Sequence, residues 1–338
     1  MSALPATSRE WHLVARPQGW PTAEDVALRE VPVAELEEGQ ILVRNRYFSV
    51  DPYMRGRMND VKSYLPPFQI DRPMDGGAAG EVIASRAEGY TVGDHVVHNF
   101  GWREIAVVPA AQAYHVDPAL APLSAYLGVL GMTGLTAYVG LFDTAAFREG
   151  DTVFVSGAAG AVGSQVGQLA RIKGAKRVIG SAGSDEKVKL LTEEYGFDAA
   201  FNYKRGPVGE QLAAAAPEGI DVYFDNVGGD HLEAALDALT VHGRIALCGM
   251  ISLYNSTEPT PAPRNLALAV IKRLRMEGLL VTDHLAERSR FVRDVAGWLA
   301  SGELKHHETI VEGIEHGFGA FTGMMRGENT GKMIVALS

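Results

Sequence analysis

The spacing of hydrophobic positions divides the chain into two parts. Up to about residue 125, apolar and polar residues alternate over short stretches, and every second residue from Ile41 to Tyr47 falls on one face. Short strands are predicted over residues 11–14, 41–47, 80–83 and 95–97. No run of helical periodicity competes with them, so this part is predicted to be rich in β-strands.

From about residue 135 to residue 301, strands and helices alternate instead. Residues 152–156 predict a short buried strand, and residues 177–180 predict the next one. Between them, Val162, Val166 and Leu169 begin an apolar stripe of helical spacing, which runs to Lys173. Strand, turn, helix and strand form one βαβ unit.

Later segments repeat this alternation. Strands are predicted over residues 221–225 and 243–248. Asp230 and Glu233 predict a capping box for a helix that runs through Leu239, and a helix over residues 286–300 is predicted to end at Gly302. Alternation of this kind predicts an α/β fold with a doubly wound parallel sheet.

The turn between the first strand and helix of this part is rich in glycine. Gly160 and Gly163 match the second and third glycines of the G-x-G-x-x-G dinucleotide fingerprint, while Ala158 takes the first position. The free N–H groups at the start of the next helix suit a pyrophosphate. A glycine turn without a ligand is the alternative, but the complete βαβ unit favours the nucleotide.

The end of the following strand indicates which nucleotide binds. An NAD site places Asp or Glu there to hold the ribose 2′-hydroxyl, whereas residues 180–184 contain no acid. Asp185 and Glu186 are predicted to lie in the first turn of a helix behind a Ser184 N-cap, and Lys187 follows. The absence of a carboxylate at the strand end, together with a nearby cation, suits the 2′-phosphate of NADP. Taken alone, Lys187 could equally be an ordinary surface lysine.

Composition narrows the possible partners. The length of 338 residues suits two domains, and the net charge of −10 argues against nucleic acid as a partner. The single cysteine, Cys248, excludes an intramolecular disulfide and fits a reducing, cytoplasmic compartment. Residues 118–142 carry no charge but contain two prolines and four glycines, so we predict a buried connector and helix there and no membrane span.

Several motifs occur in the order of one known family. They lie at residues 49–55, 131–138, 157–174, 183–187, 201–204, 224–229, 248–255 and 327–332. On these motifs the chain resembles the zinc-free medium-chain dehydrogenase/reductases, and among them the NADPH-dependent double-bond reductases, which include prostaglandin/leukotriene reductases and curcumin reductases. The resemblance implies a chaperonin-10-like catalytic β-barrel over residues 1–125, completed by residues 303–338, and an NADP-binding Rossmann domain over residues 126–302. It also implies a homodimer.

The resemblance assigns residues to the NADPH cofactor as well. Four residues would hold the pyrophosphate, namely Gly160, Ala161, Val162 and Gly163. Lys187 and Tyr203 would hold the 2′-phosphate. The path from adenosine to nicotinamide would be lined by Asn226, Cys248, Gly249, Met250, Ile251, Ser252, Leu253, Tyr254, Leu279, Leu280 and Val281. Met132 and Thr133 would lie near the nicotinamide, and Asn329 would reach the cofactor from the tail.

Metal ligands are scarce in this sequence. Catalytic and structural zinc sites of alcohol dehydrogenases need several cysteines and histidines, and the chain has one cysteine. The odd separation of His95 and His98 puts them on opposite faces of a strand, and the adjacent His306 and His307 cannot easily share one metal. We therefore predict that no metal is bound. Without zinc, alcohol oxidation lacks its usual Lewis acid, which favours reduction of an activated C=C bond.

Such a reduction requires hydride transfer to the β-carbon and a donor that stabilises the charge on the carbonyl oxygen. Three tyrosines in the matching motifs are candidates for this donor, in the order Tyr254, Tyr64 and Tyr53. The predicted activity is NADPH-dependent, zinc-independent reduction of the C=C bond of small α,β-unsaturated ketones or aldehydes.

Three alternatives to this activity remain. NADPH quinone reduction is one, and a non-catalytic NADPH-binding role is another. The third is reduction of enoyl thioesters, which would need a basic entrance for coenzyme A. Four cations could provide that entrance, namely Arg264, Lys272, Arg273 and Arg275.

Overall fold

The computed structural model describes residues 4–337, which form two compact units. The first unit comprises the chain up to Gly128, Glu308–Asn329 and the residues from Met333 onward. The second unit comprises Val129–His307 and Thr330–Lys332. Each unit has its own sheets and its own core.

The two units together contain sixteen strands among the described residues. In chain order they are β1 (Thr7–Leu13), β2 (Val26–Pro32), β3 (Gln40–Ser49), β4 (Arg72–Pro73), β5 (Ala78–Ser85), β6 (His95–His98), β7 (Ile105–Pro109), β8 (Tyr114–His115), β9 (Thr152–Val155), β10 (Arg177–Ala182), β11 (Ala199–Asn202), β12 (Ile220–Asp225), β13 (Leu239–Leu247), β14 (Arg275–Gly278), β15 (Glu308–Glu312) and β16 (Lys332–Ala336).

Most of the helices belong to the second unit. They are α1 (Tyr53–Arg57), α2 (Met132–Val139), α3 (Gly163–Ile172), α4 (Asp185–Glu193), α5 (Val208–Ala215), α6 (Gly229–Ala238), α7 (Leu268–Ile271), α8 (Arg288–Ser301) and α9 (Gly317–Met325). A π-helical segment, Gly140–Thr144, follows α2 directly.

The first unit is built on antiparallel strands. Its larger sheet has the order β15-β16-β3-β5-β6-β8 with β7 also paired to β3, and a smaller sheet has the order β2-β1-β4. The alternation along β3 places Ile41 and Val43 in the core with Val82 and Val96. Asn45 shares that buried face because its amide group donates to the carbonyl oxygens of two loop residues, at 2.9 and 3.1 Å. The predicted richness in β-strands is confirmed.

The second unit is a six-stranded parallel sheet with helices. Its strand order is β11-β10-β9-β12-β13-β14, which is the 3-2-1-4-5-6 order of a Rossmann fold. The order reverses between β9 and β12, and ligands of such sheets bind at the carboxyl ends of the strands near that point. The predicted α/β fold with a doubly wound parallel sheet is confirmed.

Most of the predicted helix boundaries in this unit are also correct. Gly174 and Gly302 follow α3 and α8 with φ of +81° and +76°, the left-handed conformation that glycine adopts without strain. The Ser184 hydroxyl accepts the N–H of Lys187 at 3.3 Å and so caps α4.

The capping box predicted for α6 is wrong. That helix begins at Gly229 behind Gly228, and no side chain caps it. The Glu233 carboxylate instead binds the Arg264 guanidinium, at 2.7 Å. The sequence pattern of a capping box was present, but the two consecutive glycines with positive φ started the helix earlier.

The long uncharged segment contains several short elements. Leu123–Leu127 is a turn of 3-10 helix in the first unit, and α2 follows in the second. Among the described residues, no helix is both long enough and apolar enough to cross a bilayer.

Candidate cofactor site and catalytic residues

The glycine-rich turn, residues 157–163, joins β9 to α3. Gly157 has a φ of +60°, which disfavours other residues. A Cβ atom on Gly163 would lie 2.5 Å from the Gly157 carbonyl oxygen and 2.8 Å from the Cα of Ala158. The start of α3 therefore packs against the turn so closely that no side chain fits at residue 163.

The N-terminus of α3 presents backbone donors at this turn. The first hydrogen bonds of the helix run from the Ser164 N–H to the Gly160 carbonyl, at 3.1 Å, and from the Val166 N–H to the Val162 carbonyl, at 3.0 Å. The N–H groups of Ala161, Val162 and Gly163 precede this ladder, at the positive end of the helix dipole. The arrangement fits a pyrophosphate, as the sequence predicts.

A cationic group of side chains lies beside the carboxyl end of β10. A Cβ atom on Gly183 would lie 3.1 Å from the Tyr203 hydroxyl and 3.5 Å from the Lys204 Cε, so both side chains fold over Gly183. Lys187 is half-buried in the first turn of α4, and its pKa is lowered by burial and then by the charge of Lys204. Two ammonium groups and a phenol thus converge, and a phosphate dianion would offset the repulsion between them.

Asp185, two residues before Lys187, is paired within the protein. Asp185 accepts hydrogen bonds from Arg205 and, at 2.7 Å, from the Asn202 side chain. The Arg205 hydrogen bond is the main cause that lowers the pKa of the Asp185 carboxyl. An anion at Gly183 would therefore meet Lys204, whose charge also acts on Lys187, while the charge of Asp185 is balanced by Arg205.

Tyr203 rests on a buried histidine. Its ring meets the His231 ring edge-on with the centroids 5.3 Å apart. Burial lowers the pKa of His231 to about 4, so this imidazole is neutral at neutral pH. An uncharged aromatic support fits a role of Tyr203 in positioning rather than in neutralising charge.

Strand β12 ends at Asp225, which is paired with Leu247, the last residue of β13. The buried carboxylate oxygen Oδ1 of Asp225 accepts the N–H groups of Val227 and Gly228 at 2.9 and 2.8 Å, and its backbone carbonyl accepts the N–H groups of Cys248 and Gly249 at 2.9 and 3.0 Å. One residue therefore connects the two loops that contain Asn226 and residues 248–254. Burial raises the pKa of the Asp225 carboxyl despite these hydrogen bonds, and it raises the pKa of the Cys248 thiol to about 12.

The Tyr254 hydroxyl is held at the same edge of the sheet. It accepts the Met250 N–H at 3.2 Å, and a Cβ atom on Gly249 would lie 3.2 Å from it. Burial raises the pKa of this phenol, which therefore stays protonated. A phenol that accepts a hydrogen bond can still donate its own proton, so Tyr254 has the chemistry of a donor.

The other residues assigned to the cofactor divide between the units. Met132 begins α2 and is 42% exposed, and Thr133 is buried beside it. Leu279, Leu280 and Val281 follow the edge strand β14. All of these lie in the second unit, whereas Asn329 belongs to the first.

The first unit contains the other two tyrosines. Tyr53 begins α1, and burial followed by the charge of Asp51 raises the pKa of its phenol. Tyr64 is 55% exposed on the loop after α1. Arg57 binds the far end of that loop through two hydrogen bonds. The Arg57 Nε donates to the Pro66 carbonyl at 2.9 Å, and the Arg57 backbone carbonyl accepts the Phe68 N–H at 2.7 Å. Of the three tyrosines, Tyr254 alone is placed in the unit that carries the glycine-rich turn.

The cations considered as an entrance for coenzyme A are occupied within the protein. Arg264 binds Glu233, and Arg275 binds Glu277 at 2.5 Å. The Lys272 ammonium donates to two carbonyl oxygens at the end of α6, at 2.7 and 2.9 Å. The Arg273 guanidinium donates to the Ile271 carbonyl at 3.0 Å, so all four side chains have internal partners. The basic entrance stays a prediction.

Comparison with known proteins identifies the family. Residues 9–116 match the family described as the N-terminal domain of oxidoreductase, and residues 161–300 match the family described as zinc-binding dehydrogenase. The chain is 39% identical over 336 residues to the NADPH-dependent curcumin reductase of Escherichia coli, with 98% of this chain and 97% of that protein covered. It is 40% identical over 329 residues to the NADP(+)-dependent 2-alkenal reductase of Nicotiana tabacum, covering 95% and 94%.

A solved structure is equally similar. The crystal structure of CurA from Vibrio vulnificus in complex with NADPH superposes with a TM-score of 0.93 at 40% identity, covering 98% of this chain and 99% of that one. The chain belongs to the NADPH-dependent double-bond reductases of the medium-chain dehydrogenase/reductase superfamily. NADPH is therefore its cofactor, as predicted from the absence of Asp and Glu at the end of the second strand of the βαβ unit.

Sequence reasoning missed one residue of this reductase's cationic group. Lys204 directly follows Tyr203 in the same motif, and only the structure shows that it folds over Gly183. Within residues 4–337, no group of three or more His, Cys, Asp or Glu side chains is arranged to hold a metal ion. The family name of the second matching segment mentions zinc, so freedom from metal stays a prediction.

Proposed function

We propose that this reductase uses NADPH to reduce the C=C bond of α,β-unsaturated ketones or aldehydes and leaves the carbonyl group intact. The observation that carries the proposal is the Tyr254 hydroxyl, a protonated donor held by the Met250 N–H at the carboxyl edge of the parallel sheet. The names of the curcumin and 2-alkenal reductases support the same substrate class.

The residues of the chain would hold NADPH through two kinds of contact. The N–H groups of Ala161, Val162 and Gly163 would bind the pyrophosphate, and Lys187 with Tyr203 would bind the 2′-phosphate. Lys204 supports the same phosphate because its side chain shares the Gly183 surface. When bound, NADPH supplies the hydride for the β-carbon.

Tyr254 would act on the substrate's oxygen. Negative charge develops on the carbonyl oxygen as the β-carbon is reduced, and a preorganised hydrogen-bond donor stabilises that charge. The raised pKa keeps Tyr254 protonated, and the hydrogen bond from the Met250 N–H anchors its oxygen. Tyr64 and Tyr53 of the first unit remain candidates for positioning the substrate.

Product analysis tests this proposal. An enone incubated with deuterated NADPH should give a saturated ketone with deuterium at the β-carbon. An allylic alcohol would contradict the proposal, because it shows reduction of the carbonyl group. A panel of enals, enones, quinones and enoyl thioesters separates the remaining alternatives, and tight NADPH binding without turnover of any of them would indicate a non-catalytic protein.

We also propose that the reductase acts as a homodimer in the cytoplasm. The last strand of the parallel sheet, β14, is mostly exposed, and on α7 Val270 and Ile271 are 80% and 64% exposed. Apolar residues beside an open sheet edge suit pairing with a second copy. Sedimentation at micromolar concentration should show a dimer, and Val270→Asp should shift it towards the monomer; a monomeric parent protein would contradict the proposal.

A further inference from the structure

A hydrogen bond between two distant side chains lies outside the set of residues assigned to the cofactor. The Tyr195 hydroxyl, just after α4, is 2.6 Å from Nδ1 of His307, which is 112 residues later in the chain. Tyr195 is buried, at 3% exposure, whereas the His307 side chain is 42% exposed. Both residues belong to the second unit.

The surroundings of this pair determine which atom donates. Burial raises the pKa of the Tyr195 phenol, so its oxygen keeps the proton. On the other side of the imidazole, the Glu194 carboxylate lies 3.7 Å from Nε2, which favours the tautomer with its proton on Nε2. Tyr195 therefore donates and Nδ1 of His307 accepts.

The backbone of His307 leads from this pair to the glycine-rich turn. Its carbonyl oxygen accepts the Lys332 N–H at 3.0 Å, and Gly331 donates to the Ala159 carbonyl at 2.8 Å. Gly331 also forms a β-bridge with Gly160. Its φ is +66°, and a Cβ atom there would lie 1.9 Å from the His307 carbonyl oxygen. Residues 330–332 thus lie between His307 and the turn. They pack so closely there that residue 331 has no room for a side chain.

A buried amide fixes the same segment to α3. Gln168 donates to the Lys305 carbonyl at 2.9 Å and accepts the Lys305 N–H at 2.8 Å. It donates also to the Ser164 carbonyl in the first turn of α3, at 2.9 Å. Residues 305–307 are therefore connected both to the N-terminal turn of α3 and, through residues 330–332, to the glycine-rich turn.

We propose that Tyr195 and His307 are positioning residues for the cofactor, because their hydrogen bond holds residues 305–307 and 330–332 against the glycine-rich turn that receives the pyrophosphate. This inference rests on the proposed NADPH site. It differs from the role proposed for the 2′-phosphate residues, because the pyrophosphate is common to NADPH and NADH. Loss of the pair should weaken both cofactors equally, whereas loss of a 2′-phosphate residue weakens NADPH alone.

The test compares three variants by fluorescence titration with NADPH and NADH. His307→Ala and Tyr195→Phe each remove the hydrogen bond, and each should weaken both cofactors by roughly three- to tenfold. His307→Asn keeps an acceptor close to the place of Nδ1, so it should bind as the parent protein does. The turnover number at saturating NADPH should stay within about twofold of the parent, because the pair touches neither substrate nor reacting atoms.

Controls separate this role from general destabilisation. The Tyr195→Phe and His307→Ala double variant should lose no more affinity than either single variant, since one hydrogen bond is removed in each case. His316→Ala changes an exposed histidine beside Glu315 in the first unit and should leave binding unchanged. Thermal unfolding of each variant checks that it is folded.

The outcomes distinguish the two proposals. If the parent protein binds no NADPH, the proposed function is wrong. If the parent binds NADPH while both single variants bind like the parent, the positioning role is wrong. Weakening of NADPH without NADH, or an Asn variant as weak as the Ala variant, would contradict the positioning role as well.

Discussion

At the adenosine end of the proposed cofactor site, Tyr203 and Lys204 are exposed and Lys187 is half-buried. At the nicotinamide end, Asp225 is fully buried and Tyr254 is half-buried. The first end would bind by charge, since Lys204 lies beside Gly183 and its charge acts on Lys187. The second end relies on fixed geometry, since backbone N–H groups hold Asp225 and Tyr254 in place.

This difference has a physical reason. A phosphate remains hydrated at a surface edge, where charge attracts it and salt screens the attraction. Charge that develops on a substrate during the reaction needs a donor that is already oriented in a site with little water. We therefore expect substitutions at the adenosine end to change cofactor choice, and substitutions at the nicotinamide end to change the rate.

The largest effect should follow from Tyr254→Phe. Loss of one preorganised donor to an oxyanion costs about 2.7–4 kcal/mol, so kcat should fall by roughly a hundredfold or more. NADPH affinity should change little, because the hydroxyl would act on the substrate. Steady-state kinetics with an enone measures the turnover number, and fluorescence titration measures the affinity.

A matched control for this variant is Tyr90→Phe. It removes a tyrosine hydroxyl that donates to the Ala113 carbonyl at 2.7 Å in the first unit, and kcat should stay as in the parent. If Tyr254→Phe keeps the parent's kcat but loses NADPH affinity, the nicotinamide end acts by binding and the contrast between the two ends is lost.

The next effect concerns cofactor choice. Lys187→Ala removes a charge-assisted hydrogen bond worth about 1.5–3 kcal/mol, so NADPH should bind roughly 10- to 150-fold more weakly while NADH is unaffected. Lys189→Ala, an exposed lysine of the same helix paired with Glu193, should change neither affinity. Equal losses for the two cofactors would mean that Lys187 is structural.

Lys204→Ala should have a smaller effect of the same kind. Exposed ion pairs contribute about 0.2–1 kcal/mol, which corresponds to at most about a fivefold loss of NADPH affinity. The loss should shrink in high salt, because exposed charges are screened. Lys176→Ala serves as the control, since that exposed lysine pairs with Glu218 before β10. A loss that is independent of salt would show that Lys204 acts through packing.

Removal of metal should have no effect at either end. The sequence has one cysteine, and the donor proposed for the substrate's oxygen is a tyrosine. Activity should therefore be unchanged after dialysis against a strong chelator. Loss of activity that zinc restores would show that the nicotinamide end depends on a Lewis acid.

Local patterns determined the elements of the cofactor site. The alternation of strands and helices predicts the parallel sheet, Ser184 predicts the start of α4, and Gly174 predicts the end of α3. Each of these features depends on residues close together in the chain, so their hydrogen bonds and periodicity can be recognised from sequence. The matching motifs further identified the family and its cofactor.

Only the tertiary structure decided which distant side chains meet. Glu233 pairs with Arg264 instead of capping α6, and Lys204 folds over Gly183 and acts by its charge on Lys187. The hydrogen bond from Tyr195 to His307 joins residues 112 positions apart. Such contacts depend on how strands and helices pack, and no short-range pattern in the chain encodes that packing. The sequence by itself therefore determined the order of the elements and the chemistry of the glycine-rich turn, and folding in three dimensions determined what supports that turn.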